Sequence, residues 1–108
     1  MGNEALAEFE LLVMLAAMRL GPEAAYTVTI AEDIRERTGR GVRRANVFTA
    51  LRRLERKGLI SSRMGESHPR RGGRPPRLVT VEPEGVARVR ATTQAIEAMK
   101  GSLLLADV

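Results

Sequence analysis

Between positions 43 and 56 the chain gathers Arg43, Arg44, Asn46, Thr49, Arg52, Arg53 and Arg56. Guanidinium groups fork onto phosphates or guanine edges, an amide can pair with adenine, and a threonine can touch a thymine methyl group or a phosphate. The chemistry on offer is recognition of a polyanion rather than the making or breaking of bonds. At helical spacing Val47, Leu51 and Leu54 share one side, with Phe48 on its flank. Asn46, Thr49, Arg53 and Arg56 share the other, with Arg52 beside them. One face can rest on a core while the opposite face offers cations, an amide and a hydroxyl. A solvated basic face on an ordinary amphipathic helix has the same pattern, so the rest of the chain must decide.

Catalysis has little to rest on. The one histidine, His68, stands next to Pro69 in a Gly/Pro-rich stretch, with no cysteine in the chain and no acid cluster around it. No glycine-rich phosphate loop precedes a Lys and a Ser or Thr. Neither an enzyme nor a metal or cofactor site is expected.

Charge is unevenly placed along the 108 residues, whose net charge is +5. Residues 41–77 hold eleven Arg or Lys against two Glu, whereas 1–40 hold four Arg against seven acids and 78–108 three basic against four acidic residues. A basic block of this kind raises affinity for nucleic acid. A membrane surface would attract it too, but the block lacks an aromatic or leucine-rich insertion face, and the apolar run 11–18 is too short to span a bilayer. The acidic first ten residues do not resemble a signal peptide. The absence of cysteine suits a reducing cytosol, so a cytoplasmic protein is expected. At 44% hydrophobic residues the chain is read as a small domain with a modest core, for which a partner surface is plausible.

These residues need elements to position them. A first helix is predicted over 4–20, with Asn3 as cap, Glu4 and Glu8 at its positive end, and Gly21-Pro22 as its stop. Its stripe of Leu6, Phe9, Val13, Ala16 and Leu20 is joined by apolar residues on most other sides. Such a helix is covered twice, either wholly within one subunit or by the core and a dimer partner. Thr29-Ile30-Ala31-Glu32 reads as a capping box opening a second helix to about Thr38, with Ile30 and Ile34 inward. A Gly39–Val42 turn leads into the basic helix, 43–57, which Gly58 ends. Two helices joined by a short glycine-bearing turn form a helix-turn-helix. Arg43 and Arg44 oppose the dipole of that third helix at roughly 0.3–1 kcal/mol each, with no capping side chain to compensate; a bound phosphate would reverse the sign.

Residues 59–64 and 77–81 read as an antiparallel hairpin, with Ile60, Ser62 and Met64 on one face. Its tip carries Arg70, Arg71 and Arg74 among glycines and prolines, the composition of a wing laid along a backbone or minor groove, or of a plain solvated loop. Pro83-Glu84-Gly85 begins a last helix, in which Val86, Val89, Thr93, Ile96, Met99 and Leu103 form an apolar seam. Nothing downstream could cover it, so it packs on helix one or on a second subunit; a homodimer built from helices one and four is the expectation. Leu103-Leu104-Leu105 would otherwise be an exposed apolar patch. The predicted interface takes in Leu6, Phe9, Val13, Val89, Thr93, Ile96, Met99 and Leu103. The fold class is therefore mainly α with a small β-hairpin, a winged helix-turn-helix over 1–82 followed by a dimerisation helix over 83–108.

Tyr26-x-Val28-x-Ile30, the run Val47 to Ile60, the Gly/Arg-rich wing and Pro83-Glu84-Gly85 together resemble the PadR family of transcriptional regulators, over nearly the whole chain. The resemblance implies a winged-helix DNA-binding domain, dimerisation through the C-terminal helix with help from helix one, and usually repression. The chain looks like the short subgroup, in which the C-terminal part is a single helix. It departs from the family at Phe48, where a tyrosine is usual. It also departs at Thr27 (glycine), near Arg43 (serine), at Leu78 and Val79 (tyrosines) and at Glu82 (threonine). Some relatives bind flat aromatic drugs between tryptophans at the dimer interface; with no Trp and three aromatics in this chain, that ligand class is not carried over, and a small-molecule effector is possible but unidentified.

The leading expectation is a homodimeric repressor whose two recognition helices enter successive major grooves about 34–36 Å apart on double-stranded DNA. Asn46, Thr49 and Arg53 would read bases, Arg56 would take guanine or phosphate, and Arg43, Arg44 and the wing arginines would hold phosphates. A winged-helix module binding an acidic protein and a sequence-independent architectural DNA binder are the alternatives. Selection from genomic fragments separates all three.

Overall fold

The computed structural model describes residues 5–66 and 73–103. Four helices and one hairpin follow in the order α1 (Glu8–Leu20), α2 (Thr27–Thr38), α3 (Arg44–Arg56), β1 (Ile60–Met64), β2 (Arg77–Val81) and α4 (Pro83–Lys100). The expected elements are all present, and the hairpin is antiparallel with Ile60 opposite Val81 and Met64 opposite Arg77. Asn3, His68, Leu104 and Leu105, and the wing residues Arg70 and Arg71, lie outside the described residues.

α1 starts later than its apolar pattern suggests. Ala7 stands at the cap, and Glu10, three residues on, accepts the Ala7 N–H at 3.3 Å. That makes Glu10 the capping side chain and removes the role expected of Asn3. The Leu6 N–H upstream donates instead to Thr92 Oγ1 on α4 at 3.2 Å, so the entry to α1 is a strap between helices rather than a further turn. Within α1, Val13, Met14 and Ala16 are fully buried, while Met18 is exposed. Val13 and Met14 each contribute roughly 1.5–3 kcal/mol relative to exposure, and the Ala16 methyl less.

The opening of α2 also differs from the expected capping box. The cap is Tyr26, and Thr29 occupies the third helical position, where its Oγ accepts the Tyr26 N–H at 3.0 Å and donates to the Ala24 carbonyl at 2.6 Å. The box is thus shifted by one turn: Thr29 plays the part assigned to Glu32, which is exposed. Backbone geometry explains the shift, because Gly21 (φ 85°) turns the chain tightly and brings Ala24 and Tyr26 over the start of the helix. The same connection is tied to the sheet by the Val79 N–H, which donates to the Ala25 carbonyl at 2.8 Å.

α3 buries Val47, Ala50, Leu51 and Leu54 against α1 and α2. At its end Gly58 takes φ 78°, the Gly58 N–H reaches the Glu55 carbonyl and the Leu59 N–H reaches the Leu54 carbonyl, both at 3.0 Å. This double closure reverses the chain into β1 and buries Leu59. Along β1 the expected apolar face holds only at its root: Ile60 is buried, Ser62 is half-buried and Met64 is exposed, because the hairpin leaves the body of the protein as it extends.

α4 packs by a face about one residue away from the predicted seam. Gly85, Val89 and Thr92 are the buried positions, with Val86 and Thr93 half-covered. The cause is Gly85: lacking a side chain, it lies against the Leu59 carbonyl, Met14 and Val81, and so sets the rotation of the helix. Beyond Thr92 the chain's own body no longer covers the helix, and Ile96, Met99 and Leu103 are exposed. Among the residues expected at a dimer interface, Leu6, Val13 and Val89 are buried within the chain itself and Phe9 is half-buried.

Candidate nucleic-acid interface

The helix geometry of α3 sorts its residues as the spacing implied. Arg43, Arg44, Asn46, Thr49, Arg52, Arg53 and Arg56 are all exposed on the side away from the core. Phe48 is exposed as well, and the Arg52 guanidinium lies over its ring, 5.8 Å from the centroid, a cation–π contact that holds Arg52 along the helix surface. The start of α3 carries no side-chain cap; Arg43 is the cap residue and contributes only its carbonyl, which accepts from Asn46 and Val47. Two cations therefore sit at the positive end of a helix dipole.

One feature of this face was missed in the sequence. Glu10, counted there only among the acidic first residues, is 4% exposed and reaches across from α1 to α3. Its Oε2 accepts from Arg53 Nε at 3.2 Å and from Lys57 Nζ at 3.3 Å, while Oε1 accepts from the Ala7 amide. Burial pushes this carboxyl up, but the Ala7 amide, Arg53 and Lys57 together outweigh it and hold the group below the ordinary glutamate value. The available signal was a carboxylate set between Phe9 and Leu11 in an otherwise apolar stretch. Arg53 nonetheless remains half-exposed, beside a shallow cleft of about 260 Å³ lined by Phe9, Asn46, Thr49 and Arg53 itself.

At the other end of α3 a larger cleft of about 510 Å³ opens between the start of α2, the start of α3 and the root of the wing. Tyr26, Thr27, Arg44, Arg74, Pro75 and Arg77 line it, so the predicted Arg44 and Arg74 meet here although thirty positions separate them. Arg77, not singled out in the sequence, joins them. It also ties the wing to α3, since Arg77 Nη1 donates to Ser62 Oγ at 2.9 Å and Ser62 donates to the Glu55 carboxylate at 3.0 Å. The turn between α2 and α3 is held by Arg40, paired with Glu8 of α1 at 3.2 Å. Asp33 of α2 pairs with both Arg19 of α1 and Arg37, and the Arg19 hydrogen bond is the main cause that lowers its carboxyl below the usual range.

Among the described residues no group of three His, Cys, Asp or Glu side chains could hold a metal ion, and no helix is long and apolar enough to cross a membrane.

A helix-turn-helix whose second helix presents a basic face, followed by a β-hairpin and a further helix, defines a winged helix-turn-helix protein. Solved structures of the same architecture include PadR-like transcriptional regulators. A PadR-like transcription factor from Bacteroides fragilis superposes with TM-score 0.71 at 21% identity, covering 88% of this chain and 85% of the other. A PadR-family transcriptional regulator from Eggerthella lenta gives 0.64 at 25% identity, covering 90% and 86%. A transcriptional regulator from Clostridium thermocellum gives 0.68 at 21% identity, covering 87% of each chain. The likeness to the PadR family expected from the sequence is thus present in the fold across nine tenths of the chain. The chain matches no protein-family profile, and no curated protein matches it.

Proposed function

We propose that this protein is a cytoplasmic, homodimeric, sequence-specific DNA-binding transcriptional regulator, a repressor, that reads a pseudo-palindromic operator. The observation that carries the reading is the exposed side of α3. Its amide, its hydroxyl and its arginines project together, while the opposite side is locked in the core. α3 enters the major groove, with Asn46, Thr49 and Arg53 at base edges and Arg52 and Arg56 at bases or flanking phosphates. Arg43, Arg44 and Arg74 hold phosphates, Arg44 and Arg74 from the cleft where the positive end of α2 also points. Arg70 and Arg71 extend the same role along the wing.

The second subunit meets the uncovered half of α4 at Thr93, Ile96, Met99 and Leu103, with Phe9 of α1 alongside. Leu6, Val13 and Val89 support those helices from within the chain. The dimer brings two copies of α3 to one side, as a two-fold operator requires. A small-molecule effector would have to act through that dimer surface or the clefts beside α3.

The test is selection of duplexes from genomic fragments, followed by footprinting and titration at several salt concentrations. An enriched two-fold sequence is expected, with log affinity falling linearly in log salt concentration, and Arg53→Ala lowering affinity mainly on the enriched site. Binding without enrichment would make the protein architectural. No duplex binding at all would make it a module for an acidic partner.

A further inference from the structure

Resting on the reading of α3 as a recognition helix, we infer that Glu10 is a positioning residue for sequence read-out: it fixes the Arg53 guanidinium so that its two terminal amino groups face the groove. The carboxylate is itself fixed. Leu6 is strapped to Thr92 of α4, Ala7 donates to Glu10 Oε1, and the side chain is 95% covered, so the anchor moves with the body of the protein and not with solvent. It binds Arg53 through Nε alone. Nε lies on the side of the guanidinium, and its use leaves the terminal pair of amino groups, the edge that matches guanine O6 and N7, without another protein partner among the described residues. Lys57 Nζ shares Oε2 at 3.3 Å, which completes the neutralisation of the carboxylate without taking the Arg53 edge.

The placement of the arginine is what such an anchor would serve. Arg53 lines the same cleft as Asn46 and Thr49, with Phe9 of α1 as its apolar member. An arginine on a free stem samples many rotamers and grips any phosphate within reach. An arginine held at Nε presents one edge in one direction and loses less freedom on meeting a base. A buried anion below the face also lowers its general attraction for phosphate. Glu10 therefore trades indiscriminate affinity for discrimination.

The prediction has a signature that loss of folding does not share. The full-length protein, Glu10→Gln, Arg53→Ala and the double variant are titrated against the selected site and a scrambled duplex of the same length at fixed salt. Glu10→Gln should lower the ratio of specific to scrambled affinity by about tenfold, the scale of one good arginine–guanine contact, while scrambled affinity is unchanged or higher. In the Arg53→Ala background the same change should alter the ratio by less than about twofold, since coupled residues are not additive. Glu10→Asp, which keeps the charge and the Arg53 fork but shortens the reach to Nε, should reproduce the loss of ratio and covers the case in which Glu10→Gln does not fold. Without DNA, the Arg53 Nε proton in a nitrogen-edited NMR spectrum should exchange slowly with water in the parent and rapidly in Glu10→Gln.

Parallel loss of both affinities, an unchanged ratio, or an equal effect in the Arg53→Ala background would overturn the inference. If the parent protein discriminates no duplex, the regulator reading fails and the read-out role fails with it. If Arg53 Nε exchanges as fast as in an unheld arginine, the clamp fails whatever the DNA result.

Discussion

Replacing Gly85 by alanine sets two physical effects against each other, and the packing of α4 decides the sign. Helix propensity favours alanine over glycine, by up to about 1 kcal/mol, and taken alone would stabilise the protein. In the structure a Cβ at this position would overlap the Leu59 carbonyl oxygen and come within 2.8 Å of Met14 Cε and 3.0 Å of Val81 Cγ1. The methionine end can swing aside. The Leu59 carbonyl cannot, because it closes β1 onto the start of α4 by accepting the Glu82 N–H at 3.0 Å. Making room by moving α4 weakens that bond, at about 1 kcal/mol, and adds an overpacking cost of about 1–3 kcal/mol. The net expectation is destabilisation by about 1–3 kcal/mol, or a Tm lower by roughly 5–20 °C for a chain of this size. Thermal unfolding followed by circular dichroism at matched protein concentration measures it, since association of the kind proposed would make Tm depend on concentration. A Tm equal to or above that of the parent would refute the close approach of α4 to Leu59, and with it the account of why the buried face of α4 is Gly85, Val89 and Thr92.

Three further outcomes follow from the same structure. Glu10 and Asp33 both have carboxyls held below their ordinary values. The stability they contribute is therefore present above the unfolded carboxylate pKa and lost as pH falls through the lower folded values. Urea unfolding should show stability dropping between about pH 5 and pH 2, less steeply in Asp33→Asn; an identical slope in that variant would remove Asp33 from the account. Thr29→Ala should cost about 1 kcal/mol in urea unfolding whereas Glu32→Ala should be close to neutral, because the hydroxyl and not the carboxylate closes the start of α2. Equal costs would restore the capping box at its expected place. If the proposed dimer forms through α4, Ile96→Glu with Met99→Glu should leave a folded monomer in equilibrium sedimentation, since both side chains are exposed on the single chain. A variant that still sediments as a dimer would move the interface elsewhere.

The elements were legible because each announces itself locally. The 3,4 spacing of Val47, Leu51 and Leu54, the glycine at position 58 and the proline at 83 all act within one or two turns, and the structure uses each as expected. What was not legible depends on contacts made across the chain. Glu10 stood only among the acids of the first ten residues; its place is decided by Arg53 and Lys57, more than forty positions away. The face of α4 turned by one residue because Gly85 has no side chain to hold it off the Leu59 carbonyl, a fact about a neighbour no spacing reveals. The shift of the α2 cap has the same origin, since Ala24 receives the Thr29 hydroxyl only after Gly21 has turned the chain. Arg77 was passed over as the first residue of a strand, yet it meets Arg44 and Arg74 once the hairpin closes.

The uncapped start of α3 also bears on motion. No side chain caps its first turn, whose Asn46 and Val47 amides donate to the Arg43 carbonyl, with like charges at Arg43 and Arg44 pressing against the dipole. The end of the helix, by contrast, is fastened twice at Gly58. Opening of the helix in the free protein should therefore begin at residues 44–46 and advance toward the centre, with amide protons there exchanging ahead of those at 51–54. An anion settling on that turn would be bound by amides it has first to bring to rest, so part of its binding enthalpy would reflect helix completed on arrival rather than contact alone.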